Sequence, residues 1–170
     1  MWFLSMRKVA AALLAAFFAG AGLSAAIGQT AKIEFRMVDS SMSAERALQT
    51  RPPAESEILY GIGDKQPYLV EKQVRLSAAD MCDAQPGFDQ RSNEPIVSFR
   101  FNSNGARRFA QVTTENVGRP FAIVIDNEVA AAPVIREPIT GGAGQISGNF
   151  SVERANDLAK QIRANAVTKC

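Results

Sequence analysis

The chemistry open to this chain is limited first by what its reactive side chains are not. Of 170 residues, none is histidine and two are cysteine, Cys82 and Cys170. Without an imidazole to take the proton, Ser–His and Cys–His nucleophilic arrangements are excluded. Two cysteines far apart in the chain would leave a zinc ion only carboxylates as further ligands, which is a poor donor set for it. Calcium would need more oxygens than the run Asp126-Asn127-Glu128 can supply. Two carboxylate pairs have a spacing that acid–base work can use: Glu153 with Asp157, four apart, and Asp126 with Glu128, flanking a turn. The first reads as charge on the wet face of a helix start, the second as a hairpin turn. Gly141-Gly142-Ala143-Gly144 follows a proline-broken segment and lacks the Lys-Ser/Thr pair of a phosphate-cradling loop. Arg107, Arg108 and Arg119 read as a solvated helix face. No catalytic, cofactor-binding or metal-ligating residues are therefore assigned, no cofactor is expected, and the chain is read as a non-enzyme.

Surface recognition is what remains. Val134, Ile135 and Ile139 form an apolar strip between Pro133 and Pro138, which cannot donate to a sheet ladder. An unpaired apolar edge of this kind can accept an extended peptide by strand addition. The competing reading is that these side chains fill the core and the prolines guard the edge against aggregation.

The elements that must position this strip follow from periodicity. Ile33 to Val38 alternates as a half-buried strand should, with Ile33, Phe35 and Met37 on one side. A short helix is expected over 43–48, ended by Pro52-Pro53. Strands are expected over 58–62 and 68–76 around a turn at Gly63-Asp64-Lys65-Gln66. Cys82 to Asn93 reads as a polar loop punctuated by Pro86-Gly87. Pro95 to Phe101 is the next strand. Asn102 or Ser103 can cap a helix that presents Ala106, Phe109, Ala110, Thr113 and Val117 on one face and closes at Gly118. Phe121 to Ile125, the turn 126–128 and Val129 to Ala132 form a hairpin. A short strand is expected over 145–148. Ser151 caps a last helix whose buried face carries Val152, Ala155, Ala159, Ile162 and Ala166. The class that results is α+β, a mostly antiparallel sheet with two main helices packed on one face.

Met1 to Ala26 reads as an export signal or an N-terminal membrane anchor. Arg7-Lys8 precedes an apolar run, and Ser24-Ala25-Ala26 supplies small residues for cleavage. The uncharged run Val9 to Ala31, 23 residues long, also suffices to span a bilayer, which takes about 20. Setting aside Arg7 and Lys8 leaves 17 basic residues against 17 acidic ones. With no basic stripe, nucleic acid is not an expected partner. Export to an oxidising compartment would permit a Cys82–Cys170 disulfide; the alternative is a small loop residue and a free end thiol.

The best-specified stretch is Asn116 to Phe150, and with the residues around it, over 113–164, it resembles the head of the large periplasmic region of the SecD protein-export subunit family. The resemblance rests on Thr113-Thr114-Glu115-Asn116-Val117-Gly118-Arg119-Pro120, Ala122 to Asp126, Ala132-Pro133-Val134-Ile135, Gly141-Gly142, Gln145 to Phe150 with Gly148 and Asn149, and Ala155 to Ala159. The strand Ile33 to Asp39 extends it over nearly all the chain after Thr30, so a head-like domain is expected over 31–168. The resemblance implies a periplasmic domain, exported and either free or tethered to the inner membrane, that binds unfolded or emerging exported polypeptides, with Sec translocase membrane subunits as further partners. The alternative is a repurposed periplasmic interaction domain with no export role. The membrane-embedded charged residues of that family have no counterpart in this sequence, and oligomeric state is not implied either way.

Overall fold

The computed structural model describes residues 31–166 and Cys170. The signal or anchor expected over 1–26 lies outside the described residues. In chain order the elements are β1 Ile33–Val38, α1 Ala44–Gln49, β2 Ser56–Gly61, β3 Pro67–Ser77, a single 3-10 turn Ala78–Asp80, β4 Met81–Phe88, β5 Pro95–Phe101, α2 Ser103–Glu115, β6 Phe121–Ile125, β7 Glu128–Ala131, β8 Ala143–Ile146 and α3 Val152–Asn165.

The α+β class is the one expected, but the single, mostly antiparallel sheet is not what forms. Five strands close into a mixed barrel in the order β1-β3-β2-β7-β6, and β4-β5-β8 form a separate sheet. The barrel closes through a parallel pair, Tyr60 with Glu128 and Gly61 with Val129. β7 reaches β2 from a distant part of the chain, and side-chain alternation says which way a strand faces but not which strand lies beside it. Closure leaves the barrel no unpaired edge. The helices also divide: α3 lies against β4 and β5, whereas α2 packs mainly on β3 of the barrel.

Alternation on β1 explains two cores. Ile33, Phe35 and Met37 face outward from the barrel and join Phe99, Phe101, Phe109, Leu158 and Ile162 in the main core. The opposite face enters the barrel, whose filling is Leu59, Val70, Ala122, Val124 and Val129. The expectation of a half-buried β1 is thereby corrected: Glu34 and Arg36 pair across from Val124 and Ala122 and are 6% and 5% exposed. Buried charge must be matched. Arg36 Nη2 stands 2.6 Å from Glu34 Oε2 and its Nη1 pairs with Glu57 Oε1, while Lys32 Nζ reaches Glu34 Oε1 at 2.9 Å. Burial opposes the charge on Arg36, but bonds to Glu57 and Glu34 outweigh it and leave its pKa raised.

Residues 82–88, read as part of a polar loop, belong to β4. It is an edge strand, paired with β5 as its one strand neighbour among the described residues, and an edge tolerates Pro86 and Gly87. β8 begins two residues earlier than expected. Gly144 fits there because a Cβ on it would stand 2.7 Å from the Phe99 ring. Val117 and Val152, placed on buried helix faces, are 48% and 44% exposed. Each lies at a helix end, where the apolar stripe runs past the surface it covers.

Candidate functional site

The apolar strip singled out in the sequence borders a cleft of about 300 Å3. Its floor is aromatic: Phe35 from β1, Phe99 from β5, Phe109 from α2 and Phe121 from β6 all contribute. These rings pack on one another, with Phe35 and Phe99 centroids 5.5 Å apart and Phe109 and Phe121 6.2 Å apart. One wall is Pro133 to Glu137 with Ile139; the other is Ala143, Gly144 and Gln145 of β8. β8 has a neighbour, β5, on one side only among the described residues.

Backbone bonds fix the first wall. Of the two readings of the strip, the unpaired edge does not hold: Phe121 N donates to Pro133 O at 2.9 Å, Ile135 N to Arg119 O at 3.0 Å, and Gly118 N to Ile135 O at 2.8 Å. The pairing works because Pro133 is asked only to accept. Gly118, at φ +85°, turns the chain out of α2 so that Arg119 to Phe121 can run beside the strip, a conformation glycine adopts without strain. The three strip residues then separate in role. Ile135 is 5% exposed and belongs to the core, whereas Val134 is 51% and Ile139 37% exposed at the rim. Thr113, fully buried, holds Ile139 by accepting its N–H at 2.9 Å.

Such a cleft offers apolar surface, a strand edge and few charges. It has no nucleophile with a base. Among the described residues no three His, Cys, Asp or Glu gather as a metal site. The carboxylate pairs are not part of it. Glu153 and Asp157 are exposed on α3. The Glu153 carboxyl is held below the ordinary range by its own backbone N–H and by the Ser151 hydroxyl at the helix start. Asp126 and Asn127 take φ +51° and +66° in the β6–β7 turn, and Asp126 Oδ1 accepts the N–H of Lys32 at 2.9 Å.

The fold and the cleft can be set beside known proteins. The family described as SecDF, P1 head subdomain, matches residues 56–168. The chain belongs to this family. The SecD protein translocase subunits of Rickettsia bellii and Acetobacter pasteurianus are both 43% identical to it, over 142 and 145 residues. These matches take in 83% and 85% of this chain but 27% of each relative, so the chain spans little more than a quarter of their length. A crystal structure of SecDF in a super-membrane-facing form superposes with TM-score 0.62 at 34% identity, over 84% of this chain and 20% of that one. A structure described as a membrane component SecDF that enhances protein export gives TM-score 0.62 at 37% identity, over 84% of this chain and 66% of that one.

In this P1 head the motif residues are chiefly builders of backbone geometry. Asn116 Nδ2 closes α2 on Val112 O at 2.8 Å, and Arg119 bridges Asn116 and Glu71 of β3. Pro120 O accepts from Val38 N, and Gly142 O from Phe101 N. Gly148 passes so close to Ala130 that a Cβ would lie 2.6 Å from its carbonyl oxygen. Asn149 takes φ +52°. Gly141 has open space around it. The aromatic floor and the β8 wall were missed as site residues, because a phenylalanine at core spacing looks the same whether or not a groove opens above it. Cys82 on β4 is joined to Cys170 in a disulfide.

Proposed function

We propose that this domain is a non-enzymatic, periplasmic SecD-like module that binds extended polypeptide segments in the Sec protein-export pathway. The observation that carries the reading is the cleft: a floor of four phenylalanines, exposed Val134 and Ile139 at the rim, and the open side of β8 along one wall. Main-chain bonds to a strand edge would give affinity without demanding a sequence, and the aromatic floor would take one large apolar side chain at a time. A cleft of this size suits a weak, reversible contact, since ordering a floppy segment offsets much of the apolar gain. Membership of the P1 head family supports the export setting, and the relatives are named protein translocase subunits. On this reading the partners are exported polypeptides and the Sec translocase, and residues 31–168 are the folded unit, with β1 as an integral barrel strand ahead of the family match.

The test is site-specific photo-crosslinking in cells. A crosslinker at residue 134 should capture exported polypeptides, and one at exposed Leu48 on α1 should not. Capture of the same unrelated proteins from both positions, with no secreted chain among them, would overturn the reading.

A further inference from the structure

α3 is held to β4 by three kinds of attachment. Ala155, Leu158, Ala159 and Ile162 bury their side chains in the core that Met81 and Ala84 share. Arg163 donates to the carbonyl oxygen of Ala84. Two residues before Ala84 on the same strand, Cys82 is joined to Cys170, with Cα atoms 5.1 Å apart and a sequence separation of 88. The first two attachments hold the middle and the last turn of the helix; the third fastens the chain beyond it. Cys82 is half-buried and Cys170 exposed, so the bond lies within reach of a dissolved thiol.

We propose that the Cys82–Cys170 disulfide is a redox-responsive staple, closed to seal α3 onto the outer edge of β4 and opened by thiols without unfolding the domain. β4 is an edge strand, and an edge left bare invites pairing with another chain. The closed form holds Arg163 on Ala84 and Cys170 on Cys82 of that edge strand, and the ring it closes spans everything from β4 to α3, including the whole of the sheet that walls the cleft. Cross-linking so long a loop removes much freedom from the unfolded chain. In the open form α3 keeps its apolar face in the core, so the barrel and the helix middle persist while the end of the helix and the β4 edge loosen.

The exchange balances with a small disulfide as oxidant. The Cys170 thiolate attacks one sulfur of glutathione disulfide and releases one glutathione thiolate. The Cys82 thiolate then attacks the Cys170 sulfur and releases the second. Two protein thiols thus lose two electrons and two protons, and one glutathione disulfide becomes two thiols.

The experiment uses the full chain equilibrated in glutathione buffers from fully oxidised to fully reduced, with thiol titration under denaturing conditions, thermal melting and amide exchange. The expected oxidised form has no titratable thiol, melts on the order of 10 °C higher than the reduced form, and loses protection on reduction in residues 160–166 and 82–88 but not in β1 or β6. Cys170→Ser should reproduce the reduced behaviour in every buffer, and wild-type protein under reduction gives the same reading should that variant express poorly. Two free thiols in oxidising buffer, disulfide-linked dimers in place of the internal bond, equal melting of both forms, a bond that yields only when the protein unfolds, or equal loss of protection in the barrel would each overturn the proposal.

Discussion

The side-chain hydroxyl of Thr113 accepts the backbone N–H of Ile139 at 2.9 Å while donating to Phe109 O at 2.8 Å. One buried helix residue therefore ties the rim of the cleft to the helix that supplies part of its floor. Thr113→Val keeps the shape but removes the acceptor, leaving the Ile139 N–H without its partner. The expected cost is about 1–3 kcal/mol, with Thr113→Ser close to wild type. Urea unfolding measures it, and amide exchange at Ile139 should quicken selectively.

The charges inside the barrel set up a second test. Glu34→Ala strands Arg36 in a nearly dry site, and the expected loss is about 3–5 kcal/mol. Replacing Glu34 by Leu and Arg36 by Met together should be far milder than either change alone, since no unmatched charge stays buried. Glu57, 40% exposed at its side chain, can turn to water. A double-mutant cycle by urea unfolding checks this; equal, additive losses would refute the buried-pair account.

Asp39 gives a pH signature. Its carboxylate accepts from the Ser56 hydroxyl at 2.6 Å and from Ser41 N at 2.8 Å, and the Ser56 bond is the largest cause of a pKa below the ordinary value of 3.8. The native state thus holds on to its proton less readily than the unfolded chain. The stability this contributes is complete above pH about 4 and is lost as pH falls through the depressed value. Asp39→Asn should lower the melting temperature near neutral pH and flatten the acid limb below pH about 4. Parallel acid limbs in variant and wild type would refute the assignment.

Gly144 tests the cleft wall. A Cβ there would lie 2.7 Å from the Phe99 ring, so Gly144→Ala must push the ring into the cleft or the strand away from β5. The expected cost is about 1–3 kcal/mol, together with weaker capture of extended polypeptide. Unchanged stability and unchanged capture would mean that the wall does not bear on the floor.

Local elements were legible in the sequence because their signals are local. Asn102 and Ser151 accept backbone N–H groups at the starts of α2 and α3, and the left-handed Asp126-Asn127 pair makes the β6–β7 turn. What the sequence withheld depends on long-range closure. The parallel β2–β7 pair, the barrel it completes and the burial of Glu34 and Arg36 inside it arise from strands brought together across the chain. β4 was hidden by Pro86-Gly87, which an edge position tolerates. At the cleft, Val134 and Ile139 were visible as apolar residues without a regular strand, but Ile135 between them turns into the core. The phenylalanine floor shows only when four separate elements converge.

The most direct test of polypeptide binding at this cleft is titration of the full chain with a permanently unfolded reporter polypeptide, followed by fluorescence anisotropy, for wild type and for Ile139→Asp. The account predicts saturable binding that Ile139→Asp weakens about tenfold or more, equivalent to about 1.4 kcal/mol, in a variant whose circular dichroism and melting match wild type. Equal affinity for a folded Ile139→Asp variant, or no binding by wild type, would contradict it.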